Sequence, residues 1–396
     1  MATRRVVITG AGTVNPLAQD VAGTYAALRA GRGAIGPLSL RDLDRLQVRI
    51  GAQVAGWNEA RFGRDLTLYD RFTQFALVAA DQAVVQAGLD HDPARIGVIL
   101  GTAGGGLNTT DDSFRAVYAE GKNRVHPLTV PRLMPSAPAS HIAMRHGAQG
   151  PVFVISSACA SANHAMGMAL QMIRAGLTDC VLTGGTDAML TFGGIKAWEG
   201  LRVMSPDGCR PFCATRNGMV MGEGAAVFVF EAEECARARG AQVLAHVAGM
   251  GMTSDASDIV LPDAAGAARA VRLAMQDAGL GAADVGYINA HGTGTLANDR
   301  IEAGVILETL GADVPVSATK SLHGHLMGGA GAVELLACLL ALQEGVIAPT
   351  IGSMTDDPAC AINLVRGAAL HVGVKACLSN AFAFGGLNAV LVLTKH

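Results

Sequence analysis

Short runs of β-branched and apolar residues alternate along the chain with longer, Ala-rich stretches. That is the pattern of an α/β domain whose sheet is buried on both faces. The runs predict strands at 6–9, 96–100, 152–155, 181–183 and 226–230, and a second series at 243–247, 285–290, 314–317, 375–378 and 389–393. The two series overlay. Segments 76–89 and 267–280 are both Ala-rich and both end in Ala-Gly-Leu, with Gly88 and Gly279 placed for left-handed helix caps. Each is followed by a buried strand that closes in a Gly/Thr turn, Gly101-Thr102 in one half and His291-Gly292-Thr293 in the other. The repeated order predicts an internal duplication, with halves at 1–245 and 246–396 packed as one body.

Composition narrows the function. Half of the 396 residues are apolar and 16% are charged, which supports a large core and excludes global disorder. Aromatics make up only 4% and the net charge is −3, so neither base-stacking modules nor a basic nucleic-acid footprint is expected. No apolar stretch of leader type follows Arg4 and Arg5, where Val6-Val7-Ile8 breaks at Gly10-Ala11-Gly12. The uncharged stretch 376–394 has the length of a membrane span. Its Ser379, Asn380, Gly385, Gly386 and Asn388 read instead as a loop between strands, so no membrane partner is expected. Eight cysteines spread over 159–377 show no disulfide framework, and Cys209 with Cys213 lacks the further ligands of a zinc site. A reduced, cytoplasmic protein without metal or other cofactor is the expectation.

Cys159 follows a buried strand directly and precedes residues of helical spacing. That places its thiol at a strand-to-helix turn, where free N–H groups and the helix dipole favour a thiolate and can hold an oxyanion. Position alone leaves an inert core cysteine as the alternative. His291 opens a turn too Gly-rich for ordinary packing, and His325 lies in the Gly-rich run after Lys320. In a duplicated fold the strand ends converge, so Cys159, His291 and His325 are expected to share one crevice.

Several motifs then coincide. Residues 156–162, His291–Thr295, Lys320 through His325, Asp207 through Phe212 and Ser379 through Gly386 together resemble the β-ketoacyl-acyl-carrier-protein synthases, the elongating ketosynthases of the thiolase superfamily. The resemblance spans essentially the whole chain. Cys159 through Ala165 and Asn380-Ala381-Phe382 are more similar to nodulation protein E-like ketosynthases than to housekeeping synthase II.

The resemblance implies a five-layered αβαβα thiolase fold and a ping-pong reaction. An acyl chain moves from acyl-carrier protein to Cys159. Malonyl-carrier protein then loses carbon dioxide, and its carbanion attacks the acyl thioester. His291 and His325 are implied as neutral N–H donors to the developing oxyanion, Lys320 with Glu334 as organisers of the site, and the N–H groups of Cys159 and Phe384 as the acyl oxyanion hole. Phe384 is also implied as a gate, with Trp198 as a second gating aromatic. Thr110, Trp198 and Phe382 are implied to line the substrate pocket, and Lys122, Arg124 and Arg202 to meet the carrier protein. A homodimer is implied, with a heterodimer including a chain-length subunit as the alternative.

Some positions depart from the family pattern. Ala383 stands where a Gly is usual, which predicts a stiffer gate because Ala does not easily take positive φ. Leu387 replaces a Thr, and Thr67-Leu68 replace a basic pair at the carrier rim, leaving room for a dedicated carrier. Three rival functions are weaker. Gly10-Ala11-Gly12 and Gly101–Gly106 lack the completing residues of a dinucleotide or P-loop motif. A degradative thiolase wants a catalytic C-terminal cysteine, and Cys377 reads as strand packing. A non-catalytic chain-length partner usually lacks the nucleophile, which this chain retains.

Overall fold

The computed structural model describes residues 4–63 and 68–396. Ten strands form one continuous hydrogen-bonded sheet. They are β1 (Val6–Val14), β2 (Ile96–Gly101), β3 (Val152–Ile155), β4 (Cys180–Ala188), β5 (Glu223–Ala232), β6 (Ala245–Ser254), β7 (Tyr287–Asn289), β8 (Val316–Ser317), β9 (Ala376–Ala383) and β10 (Leu387–Thr394). All ten of the strands expected from the sequence are present. Their order is β8-β7-β9-β10-β6-β1-β5-β4-β2-β3. Each half therefore contributes its first to fifth strands in the same spatial sequence, third-second-fourth-fifth-first. The seam between halves is two antiparallel pairs, Val7 with His246 and Ile8 with Ala245.

Five helices build most of the layers: α1 (Arg71–Ala87), α2 (Ser161–Arg174), α3 (Ala264–Ala278), α4 (Leu296–Leu310) and α5 (Ala330–Glu344). Helix α1, with the helix Ala137–His146 beside it, covers the outer face of the first half-sheet, and α3 covers that of the second with α4 packed against it in the same core. Helices α2 and α5 touch each other and strands of both halves, so they form the inner layer of an αβαβα stack. Apolar side chains on every face of α5 are buried, as that inner position requires. Residues 327–344, long and apolar enough to cross a membrane, are 89% buried inside the protein.

The two outer helices are built alike. Asp70 and Asp263 cap their starts by accepting the N–H of Phe72 and Ala265, and Gly88 and Gly279 close them at φ 54° and 67°. Gly10 and Gly12 do not break the first strand, as the sequence suggested; β1 runs through them to Val14 with a bulge after Ile8. Their role is clearance. A Cβ at Gly10 or Gly12 would lie 2.1 or 2.0 Å from the carbonyl oxygens of Ala83 or Ala79 on α1. Gly251 gives α3 the same clearance, with a Cβ 2.0 Å from the Ala270 oxygen. The stretch 379–383 is likewise strand rather than loop, pairing in register with 387–391.

Candidate active site

Cys159 sits where β3 turns into α2, and the turn is sharp enough to put Ala158 at φ 49°. Non-glycine residues rarely take that conformation, so the neighbours must hold it. Ser161 does so, accepting the N–H of Ser157 at 2.9 Å and donating to the Ala158 carbonyl at 2.6 Å. Gly101, at the end of β2, lets the start of α2 come close: a Cβ there would meet Ala162 N at 2.3 Å. The backbone N–H groups of Cys159 and Phe384 both act to lower the Cys159 thiol. These are the two groups expected to form an oxyanion hole.

Burial pushes the Cys159 thiol up to about 11, while Lys320 and the two N–H groups pull it down. The expected thiolate at the helix start is therefore overridden at rest by burial, and the group is a thiol that must pass its proton on when acylated.

His291 and His325 stand beside it. The sulfur and one nitrogen of each ring lie within 4.8 Å of one another, and the rings cross at 86° with centroids 5.5 Å apart. Neither histidine is carried by a helix. His291 follows β7 by two residues, and His325 precedes α5, separated from it by the turn Met327–Gly329. Lys320 Nζ lies 3.3 Å from His291 Nδ1 and donates to the His291 carbonyl at 2.7 Å. The Met327 N–H donates to His325 Nδ1 at 3.1 Å. With each Nδ1 facing a donor, each ring keeps its proton on Nε2. Burial, and then the Lys320 charge, hold both imidazoles well below the ordinary histidine range. They are neutral N–H donors at physiological pH.

Lys320 is fully buried and paired with Glu334 Oε1. Burial still raises the Glu334 carboxyl, against the pull of Lys320. Two acidic residues that sequence reasoning missed complete the site. Glu302 on α4 accepts the N–H groups of His291 and Gly292, each at 2.8 Å, and the Asn380 side chain at 3.2 Å. Asp187, at the end of β4, accepts Ala103, Gly104 and Gly328 N–H groups and the Thr102 hydroxyl. Neither belongs to a spacing motif; Asp187 ends an apolar strand, and Glu302 sits one turn after Asp299 in a helix of mixed polarity.

A cavity of about 260 Å³ opens onto these groups, lined among others by Cys159, Trp198, Arg202, Leu261, His291, His325, Phe382 and Phe384. Trp198 stacks on Phe384 at 5.9 Å and 25°. Thr110 and Ala383 are placed differently from expectation. Thr110 does not line this cavity; its hydroxyl bonds the Gly106 carbonyl within the helix Leu107–Phe114. Lys122 and Arg124 line a separate groove of about 240 Å³, and Lys122 pairs with Glu120. Of the three carrier-contact candidates, only Arg202 borders the cavity of Cys159. Ala383 is the last residue of β9, paired with Leu387, and the left-handed positions of the turn are Gly385 and Gly386. Ala383 therefore takes no left-handed conformation at rest. Thr67 lies outside the described residues, and Leu68 is exposed.

The structure also weighs against two of the rivals. Ala103 and Gly104 spend their N–H groups on Asp187, which leaves no phosphate cradle there. Cys377 is buried in β9 with its sulfur facing the Cys338 carbonyl, away from the cavity-lining groups. Cys209 and Cys213 bond Thr293 O and Thr215 Oγ1 respectively, as ordinary thiols do.

Residues 3–236 match the family model of the β-ketoacyl synthase N-terminal domain, and 244–354 that of the C-terminal domain. The chain is 45% identical to nodulation protein E of Rhizobium sp. (strain N33), over 98% of each chain. It is 37% identical to 3-oxoacyl-[acyl-carrier-protein] synthase 2 of Staphylococcus aureus (strain COL), over 99% of this chain and 98% of that one. Among solved structures, the ishigamide ketosynthase/chain length factor superposes with a TM-score of 0.96 at 34% identity, covering 100% of both chains. With its thiol and two neutral imidazoles around one cavity, the chain belongs to the β-ketoacyl synthase family.

Proposed function

We propose that this synthase joins an acyl group to a malonyl-derived unit by decarboxylative condensation between carrier-bound thioesters. One observation carries the reading: a buried thiol whose sulfur lies within 4.8 Å of a nitrogen on each of two neutral imidazoles. In the first half-reaction the Cys159 sulfur attacks the acyl thioester, and the thiol proton leaves on the carrier's sulfur. The N–H groups of Cys159 and Phe384 hold the tetrahedral oxyanion.

In the second, the malonyl C–C bond breaks and carbon dioxide departs. The electron pair moves onto the thioester oxygen, between the Nε2–H groups of His291 and His325. Neutral donors suit this step because they stabilise charge without giving up a proton. The resulting carbanion attacks the Cys159 thioester carbonyl, the C–S bond breaks, and the sulfur takes up a proton from solvent. Lys320 and Glu334 hold His291 in place, and Phe384 with Trp198 closes the cavity.

An acidic carrier protein suits Arg202 at the cavity mouth. The lower identity to synthase 2 than to nodulation protein E supports a specialised lipid over housekeeping elongation. Pairing with a second copy is supported by β3, which ends the sheet, and by exposed Phe114, Tyr118 and Val130 in 114–130. The likeness to a ketosynthase/chain length factor favours a second reading, activity only beside a partner subunit. Eight unpaired thiols support a cytoplasmic location.

The test is a product assay on the purified chain with malonyl-carrier protein and a panel of saturated, unsaturated and aryl acyl-carrier proteins. The reading requires carbon dioxide and β-ketoacyl product, both absent in Cys159→Ala. Product that forms only after a chain-length subunit is added would favour the second reading.

A further inference from the structure

The turn that follows His325 spends two consecutive backbone N–H groups in different directions. Met327 N–H goes to His325 Nδ1 at 3.1 Å, and Gly328 N–H goes to Asp187 Oδ2 at 2.6 Å. Between them Met327 is held at φ 49°, a conformation a non-glycine residue does not keep without an anchor. Asp187 is that anchor's other end. It is fully buried, and its remaining bonds run to the first half of the molecule: Oδ1 accepts Thr102 Oγ1 at 2.7 Å and Gly104 N at 3.0 Å, and Oδ2 accepts Ala103 N at 2.9 Å. Four donors on one carboxylate fix it firmly, because each is charge-assisted. There is little room for an alternative arrangement: a Cβ at Gly328 would lie 2.4 Å from Ala103 N and 2.7 Å from Asp187 Oδ2. The half carrying the nucleophile is thus tied by one side chain to the turn that orients a histidine of the other half.

We propose that Asp187 is a positioning residue for His325: by holding Gly328 it fixes the Met327 N–H against Nδ1 and so aims Nε2–H into the cavity. Asp187 does not touch the reacting atoms. Its positioning effect falls on the step that needs the aimed N–H, the stabilisation of the malonyl-derived oxyanion; its charge also raises the Cys159 thiol, so losing that charge does not slow acylation. The inference rests on the condensing reaction proposed above.

The test separates the two half-reactions. The chain is first loaded with an acyl group from acyl-carrier protein and followed by intact mass, then mixed with malonyl-carrier protein in a single turnover. Asp187→Asn is expected to acylate within threefold of wild type, and to condense slower by on the order of 10–100-fold. In a His325→Gln background the same change is expected to cost nothing further, because its effect passes through that ring. If Asp187→Asn does not fold, Thr102→Val decides: by loosening the carboxylate it should slow condensation about 3–10-fold and leave acylation alone. Equal slowing of both half-reactions, additive losses with His325→Gln, or unchanged condensation would each overturn the proposal. A wild-type chain that forms no acyl-enzyme contradicts the condensing reading itself.

Discussion

Lys320 Nζ donates to the backbone carbonyl of His291 at 2.7 Å while its charge is matched by Glu334, all three groups being at most 2% exposed. One buried cation therefore fixes a catalytic backbone, faces the same ring's Nδ1 and adds to burial in holding both imidazoles below the ordinary histidine range. Lys320→Met leaves Glu334 as an uncompensated buried carboxylate. Loss of one partner from such a pair costs about 3–5 kcal/mol. The expected outcome is that loss in denaturant unfolding, together with loss of condensation; a variant of wild-type stability would contradict the assignment.

Removing either imidazole removes one oxyanion donor, an interaction worth about 2.7–4 kcal/mol in comparable sites. His291→Ala and His325→Ala are each expected to slow condensation by about 10²–10³-fold. Steady-state release of carbon dioxide from malonyl-carrier protein measures it. Less than a threefold effect from either would mean that the ring does not face the developing charge.

His323 is a neighbour of the site whose titration shows in stability. Burial, with Lys320 behind it, holds its imidazole down to about 3. The unfolded value is about 6.5, so between those limits the unfolded chain binds more protons. Its contribution is fully present above pH 6.5 and is lost as pH falls toward 3. Relative to His323→Gln, wild type should lose up to about 1.4 kcal/mol per pH unit between pH 6 and 4.5. Unfolding curves that stay parallel across that range would show that the ring is not held neutral.

The turn between β9 and β10 gives a paired prediction. Gly386 stands at φ 67°, and a Cβ there would lie 2.6 Å from the Cβ of Asp255, whereas Ala383 is already in extended strand. Gly386→Ala is expected to destabilise by roughly 1–2 kcal/mol or more and to slow condensation through the displaced Phe384. Ala383→Gly should leave both half-reactions within threefold and cost about 0.5–1 kcal/mol in stability. The reverse ranking would restore the idea that Ala383 stiffens the gate.

Much of the architecture was legible because burial on both faces makes each strand a short apolar run, and because the duplication states most elements twice. What misled was glycine. At Gly10 and Gly12 it signals a turn to a reader of local pattern, yet here it clears the backbone of α1, a contact that exists only after folding. The nucleophile and histidines stand out through their motifs. Glu302 and Asp187 do not, since a carboxylate that accepts backbone N–H groups from distant turns needs no fixed spacing. Lys122 and Arg124 are expected at the carrier rim, and the groove their long side chains line was not legible from loop position.

The most direct test is the intact mass of the purified chain after incubation with acyl-carrier protein alone. The account predicts a gain equal to one acyl group, located on Cys159 by peptide mapping and absent in Cys159→Ala. An adduct that persists in Cys159→Ala, or forms on another residue, would contradict it.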